Sequence, residues 1–323
     1  MAKRELFKNI LLFPSSNLIS VIPSAVLFGL VAGYFVDTSS LETLILPTVV
    51  LMVYPSMIGF NLSELAHLQE KKLFILSLII NFILVPVVAY LLGLSFLFNS
   101  PDLFAGLAII SLLPTSNMTV AFTMLSKGNV RASIKVTVLS LILGSLLAPW
   151  YLYSLIGKYV PVDRVQMFKV IGLTVFLPLI MGLLTFRYLI TRYTETGFNE
   201  NIKPLLPGIC AWGAIVIIFI GISTKSKAIL GNPDILAAAL FVLAVFYSIN
   251  YALALAGCKI MRLCAEDAYT LVYSTVLRNL AISIGLASAL FGSQAVFMVS
   301  LAFLFQPVAV VGFRKLSEKY SFL

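Results

Sequence analysis

Arg278 is the residue whose setting demands most of its surroundings: a permanent cation, followed by Asn279, inside the apolar run 267–291. A cation at the centre of a membrane helix costs about 2.5–3.5 kcal/mol on insertion scales, so it must face a polar interior. No Asp or Glu falls in the middle of any apolar run, since Glu64, Glu70, Asp102, Glu266 and Asp267 lie at or near run ends. An arginine without a buried carboxylate calls for an anionic or oxygen-rich ligand, or for one dense shell of carbonyls and hydroxyls. Two roles follow. Arg278 either supplies charge to a solute or replaces a coupling cation, or it is a structural link to carbonyls at a helix break.

The second constellation is Pro114-Thr115-Ser116-Asn117 inside the run 102–126. Pro114 removes a backbone donor, and the polar side chains after it can bond the freed groups, so a broken helix is expected here rather than a simple kink. The half-helix that starts after such a break presents free amides and a positive dipole end, a seat for an anion or polar solute. Thr115, Ser116, Asn117, Arg278 and Asn279, with Asn81 beside them, are therefore the candidate solute ligands, and Pro114 the break itself. Ser133, Thr137 and Ser140 recur at spacings of four and three and share one helical face, where they line a cavity or bond back to their own helix. Gln306-Pro307 reads as a kink, and His67, beside Glu64 and Glu70, as a solvated loop residue. The cysteines Cys210, Cys258 and Cys264 have no paired spacing; no disulfide, metal site or cofactor is expected of them.

These residues need helices in lipid to position them. Of 323 residues 60% are hydrophobic and only 11% charged, and the mean hydropathy is +1.05, against a soluble average of about a quarter charged. Spanning a hydrocarbon core takes about 20 apolar residues, and continuous Leu, Ile, Val and Ala runs exclude the alternating segments of a barrel. The expected fold is all-α, with about ten transmembrane helices at 17–36, 41–60, 73–95, 102–126, 131–156, 165–187, 206–223, 234–257, 267–291 and 294–313. It forms a single transmembrane domain over 1–323, whose partner is the lipid bilayer.

Sixteen of the 22 basic residues fall on the inside if the N-terminus is cytoplasmic. That bias predicts both termini inside and an inner-membrane, multi-pass protein. The same placement explains the net charge of +9 without nucleic acid, because basic residues come in ones to threes at run ends. Trp150, Tyr151 and Tyr153 suit an interfacial belt. The basic N-terminal segment has no small-residue cleavage site after a short apolar core, so no cleaved signal peptide is expected.

Five spans per half imply a repeat inserted upside down the second time, over about 17–156 and 165–313, with a site at the midplane. The fourth and ninth spans both carry polar pairs, and glycines, Gly128 and Gly292, follow each about a dozen residues later. No nucleophile with a histidine, no carboxylate pair in a cavity and no phosphate-cradling loop is present, which argues against an enzyme and a primary pump. A secondary carrier of a small anionic or oxygen-rich solute remains, coupled to H⁺ or Na⁺. Channel and membrane sensor are the readings from other classes.

The stretches Leu113-Pro114-Thr115-Ser116-Asn117-Met118, Leu125-Ser126-Lys127-Gly128-Asn129, Met52-Val53-Tyr54-Pro55, Lys71-Lys72 with Asn81 and Pro86, and Leu277-Arg278-Asn279 with Ala289-Leu290-Phe291-Gly292 resemble the bile acid/arsenite/riboflavin transporter superfamily. Within it the nearest resemblance is to arsenite efflux permeases of the arsenical-resistance-3 type, with the bile acid:sodium symporters close behind. The resemblance implies a panel domain, a core domain and two broken helices that cross at the midplane. Three departures stand out. The arsenite permeases carry a cysteine after the span-four proline, where this chain has Thr115. The sodium symporters use a glutamate and a glutamine on span nine, where this chain has Ser274 and Arg278. Their ion-site hydroxyls match at Ser133 and Thr137, but the asparagine of that site falls on Val120. The resemblance thus implies Ser133, Thr137 and Ser274 as the ion-binding set, without the usual carboxylate, and an arginine in the place of one sodium ion.

Overall fold

The computed structural model describes residues 2–59, 70–160 and 163–320. Among the described residues the chain is helical and has no strand beyond one isolated bridge. A chain this apolar has no water to satisfy its peptide groups inside lipid, so each run closes its own hydrogen bonds as a helix.

Helices α1 (Ala2–Ser16) and α2 (Leu18–Phe35) lead to α3 (Ile45–Met57), entered through a 3₁₀ turn at Ser39–Leu44. After the undescribed residues 60–69, α4 (Lys71–Ile79) passes through a π turn (Ile80–Leu84) into α5 (Val85–Phe96). Then come α6 (Pro101–Leu112), α7 (Asn117–Leu125) and the long α8 (Val130–Ile156). In the second half, α9 (Arg164–Ile171) runs through a second π turn (Gly172–Phe176) into α10 (Leu177–Gly197). Next are α11 (Leu206–Ser223), the short α12 (Ser226–Gly231) and α13 (Pro233–Met261), then α14 (Ala265–Val276), α15 (Leu280–Leu290) and α16 (Ser293–Tyr320).

Among the described residues, seven stretches are long and apolar enough to cross a membrane, and one of them, Val165–Ser223, holds both the sixth and the seventh expected segments. Thr194, at φ 62°, interrupts it. The fourth and ninth expected segments are each two short helices, α6 with α7 and α14 with α15, meeting at non-helical residues. Their positions follow from the sequence: Pro114 ends the first, and the Leu277–Asn279 stretch ends the second. The sixth segment is longer than expected, running to the break at Thr194 rather than 187.

Of the four short helices, α6, α14 and α15 sit inside the bundle, while Met124 and Leu125 at the end of α7 are exposed. Leu103, Leu107 and Ile109 of α6, and Leu271, Val272, Ile282 and Ile284 of α14 and α15, are fully buried, whereas Phe28, Phe35, Leu184 and Ile260 on the long helices are exposed for lipid to cover. α6 packs against α5, α8, α15 and α16; α11 lies along α2 and α3, with α10 on the far side of α3. The two groups meet where α15 touches α3 and α9, and where α16 touches α2 and α11. Close approach needs small residues, because helices in lipid associate by packing rather than by hydrophobic drive. Gly144 of α8 is the clearest case: a Cβ there would stand 2.9 Å from the Leu112 carbonyl and 3.5 Å from Pro114 Cδ.

Candidate functional site

The two breaks cross at the centre of the bundle. Leu113 (φ −109°, ψ 75°) and Leu277 (φ −78°, ψ 110°) leave the helices in non-helical conformations, and Pro114 and Arg278 form an antiparallel bridge. The Asn279 amide donates to the Leu113 carbonyl at 2.8 Å. Backbone that is not helical at membrane depth must find partners in protein, and here each break supplies them to the other. Thr115 takes a left-handed φ of 62° to turn the chain into α7. That is an uncommon place for a β-branched residue, and such strain tends to gather at functional sites.

Helix polarity organises the charge. α6 and α14 end at the crossing and bring negative dipole ends; α7 and α15 begin there and bring positive ones. The Arg278 side chain, 1% exposed, lies on the negative side. Its Nε donates to the Ile110 carbonyl at 3.1 Å, and Nη1 to Asn81 Oδ1 at 2.7 Å and to the Thr275 carbonyl at 3.1 Å. Nη2 donates to the Ser111 carbonyl. Four of its five N–H groups are used, all on neutral oxygens. Three of these are last-turn carbonyls of α6 and α14, which have no partner within their own helices. The Arg278 carbonyl in turn accepts from Gln306 Nε2 of α16 at 3.1 Å.

Asn81 is fully buried and sits in the π turn Ile80–Leu84, its Nδ2 directed to Ser77 Oγ at 3.2 Å. The π turn answers Pro86, which has no N–H to offer the Phe82 carbonyl one turn back. Tyr151 of α8 supplies the missing donor at 2.6 Å. This corrects the belt expected of Trp150, Tyr151 and Tyr153: Trp150 and Tyr153 are exposed, but the Tyr151 hydroxyl is turned inward because a proline left a carbonyl open.

The structure gathers Pro114, Arg278, Asn279 and Asn81 at one crossing, with Arg278 and Asn81 197 positions apart. Asn279 Oδ1 caps α15 on the Ile282 amide at 3.3 Å. Ser116 opens α7, its amide donating to Thr119 Oγ1 at 3.1 Å; the Asn117 side chain is outside the described set, as are His67 and Glu64. Thr115 and Thr137 are buried with Oγ1 atoms that have no hydrogen-bond partner. None of the expected ion-binding hydroxyls bonds to Arg278. Ser133 Oγ accepts from Thr123 Oγ1 at 3.2 Å, and Ser274 Oγ bonds back to the Leu271 carbonyl at 2.9 Å. Nor is Gln306-Pro307 merely a kink, since Gln306 holds the second break. An amide before a helix-internal proline was the available signal for it. None of the three cysteines lies at either break: Cys210 is in α11, Cys258 near the end of α13 and Cys264 just before α14.

Known proteins give an independent reading. A profile of the Sodium Bile acid symporter family matches residues 46–232, a stretch that covers α6, the first break and α7. The uncharacterized protein YbaS of Bacillus subtilis is 23% identical over 300 residues, which is 92% of this chain and 95% of YbaS. The probable sodium/metabolite cotransporter BASS1, chloroplastic, of Oryza sativa subsp. japonica is 28% identical over 155 residues, 48% of this chain and 36% of that protein. The uncharacterized sodium-dependent transporter YocS of Bacillus subtilis is 23% identical over 225 residues, 67% of this chain and 64% of YocS. With the family profile across more than half its length and a membrane-spanning helical bundle around two crossed breaks, the chain belongs to the sodium bile acid symporter family of membrane transporters.

Proposed function

We propose that this protein is a secondary transporter of a small anionic or oxygen-rich solute, working by alternating access, in which the Arg278 guanidinium permanently occupies the place of one coupling cation. The observation that carries the reading is the guanidinium's all-oxygen shell at the C-termini of α6 and α14. Carbonyls and one amide oxygen around a single positive charge are the donor set a hard cation takes. Arg278 thereby neutralises the negative helix ends, and the positive ends of α7 and α15 remain for the solute. Thr115, Ser116, Asn117 and Asn279 stand at those ends. With its N–H groups turned to carbonyls, Arg278 acts on the solute through its field rather than by direct contact.

The group of α2, α3, α10 and α11 would move against the group that holds the crossing, as panel and core. Ten crossings in two inverted repeats, with both termini in the cytoplasm of an inner-membrane protein, complete the proposal; the charge bias supports the orientation. Coupling to Na⁺ is suggested by the names of the two sodium-linked relatives, and Ser133, Thr137 and Ser274 are the hydroxyls available for it; H⁺ is the other candidate. Arsenite and antimonite efflux has less support, because Thr115 and not a thiol follows Pro114.

The test is thermal stabilisation of the purified protein by bile acids, small carboxylates, arsenite and antimonite, each with and without Na⁺ and across pH, followed by uptake in proteoliposomes. Stabilisation by an organic anion, with a Na⁺ requirement that appears or steepens in Arg278→Gln, is the expected result. An Arg278→Gln protein that is correctly inserted and responds to solute and Na⁺ as the native one does would overturn it.

A further inference from the structure

A second group of buried polar atoms lies behind the crossing, on the side away from α2 and α3. Tyr247, Asn250 and Tyr251 stand at spacings of three and four on α13 and so share a face. The face is directed to α14 and α16. Tyr247 stacks on Phe305 with ring centroids 5.9 Å apart, and Tyr251 packs on Phe313 at 5.3 Å. Phe305 is the neighbour of Gln306, the residue that holds the Arg278 carbonyl.

The register between α13 and α14 sets Thr275 level with Tyr251, and Arg278 level with Tyr247. Cys258 Sγ of α13 lies 3.8 Å from the Ala268 carbonyl of α14. The helices are antiparallel neighbours, so two turns back along α13 and two turns on along α14 lead to Tyr251 and Thr275. One further turn leads to Tyr247 and the Arg278 break.

The polar groups on this face are short of partners: Tyr251 Oη, Thr275 Oγ1 and both Nδ2 and Oδ1 of Asn250 have no hydrogen bond, and Tyr247 Oη has only Gln306 beside it. Asn250 and Thr275 are fully buried and Tyr247 is 2% exposed. A carboxamide with both ends unpaired, inside a low-dielectric interior, carries a desolvation cost that proteins rarely leave standing. The two negative and two positive helix ends at the crossing cancel, so Arg278, which lies near Tyr247, leaves a net positive charge whose four protein partners are all neutral. The unpaired groups are rich in O–H and N–H donors, and the nearest charge is positive. A cation is repelled from such a place. Water answers the donors but leaves the charge. A ligand that brings only acceptors and one negative charge answers both.

We infer that the face of Tyr247, Asn250, Tyr251 and Thr275 binds a small monovalent anion of the halide type, which offsets part of the Arg278 charge from behind the crossing. This site is separate from the solute site, on the far side of the guanidinium, and its occupant is a fixed counter-ion of the protein. It does not depend on which solute is carried.

The experiment is the unfolding midpoint of the full-length protein in detergent, at constant Na⁺ and ionic strength, with chloride or bromide titrated against gluconate. Chloride and bromide are expected to raise the midpoint saturably, as a ligand of the folded state does. Tyr247→Phe keeps the ring and its stack while removing one donor, and should weaken the apparent halide affinity about tenfold. Asn250→Asp brings a carboxylate to the site and should make the midpoint independent of halide. A native protein with the same midpoint in chloride and gluconate refutes the inference, and so does a halide response that is unchanged in both variants.

Discussion

Arg278→Ala would test whether the guanidinium is the tie that holds the two breaks together. The substitution orphans Asn81 Oδ1 and the carbonyls of Ile110, Ser111 and Thr275, and leaves the space of a long side chain that is 1% exposed. In a soluble protein each orphaned buried acceptor costs about 1–3 kcal/mol. In membranes the mean measured value is nearer 0.6 kcal/mol, because the unfolded, inserted chain also finds partners. Four orphans at the lower figure give about 2.4 kcal/mol, and a residual cavity adds to it. Relief of the insertion cost, about 2.5–3.5 kcal/mol, lowers the energy of the inserted chain whether or not it is folded, and so offsets little of this. The expected loss of folding stability is about 2–5 kcal/mol. The Asn81 contact, at 2.7 Å, can be isolated with the cycle of Arg278→Ala, Asn81→Ala and the double variant, read by reversible unfolding in mixed micelles. The expected coupling is about 0.5–1.7 kcal/mol. Arg278→Lys should recover only part of the loss, because an ammonium keeps the charge but cannot span Ile110, Ser111, Thr275 and Asn81 at once. A stability change under about 0.5 kcal/mol for Arg278→Ala, or a coupling indistinguishable from zero, would show that the breaks hold each other without the guanidinium.

Three further substitutions probe the supports. Tyr151→Phe reopens the Phe82 carbonyl left by Pro86 and should lower stability by about 1–2 kcal/mol; an unchanged melting midpoint would mean the π turn satisfies itself. Thr115→Gly removes a side chain from a φ of 62° and should stabilise by about 0.5–2 kcal/mol after the entropy of glycine is subtracted, while reducing solute binding; lower stability would contradict the strain argument. Gly144→Val drives a side chain into the Leu112 carbonyl and should cost about 1–3 kcal/mol by prising α8 from the first break, visible as faster proteolysis within 113–116.

Much of the architecture could be read from the chain because lipid imposes a simple rule: an apolar run must be a helix, and a helix can break there only where something polar compensates. Pro114 with Thr115 and Ser116, and Arg278 with Asn279, announced the two breaks for that reason, and the unmatched charge of Arg278 announced an oxygen shell. Of the members of the shell only Asn81 was legible. Three of them are backbone carbonyls, of Ile110, Ser111 and Thr275, and any residue carries one. Only the crossing of α6 with α14 decides which are presented. The inward turn of Tyr151 likewise depends on where α8 passes the π turn, although Pro86 made some donor necessary. Ser133 and Thr137 show the reverse: their spacing put them on one helical face, but whether that face meets Arg278 is a matter of helix rotation, and Ser133 meets Thr123 instead. Periodicity and composition settle what each segment must be, because those are costs a segment bears alone. Partners across the bundle are settled by packing, because a hydrogen bond over 197 residues exists only once helices between them have found their places.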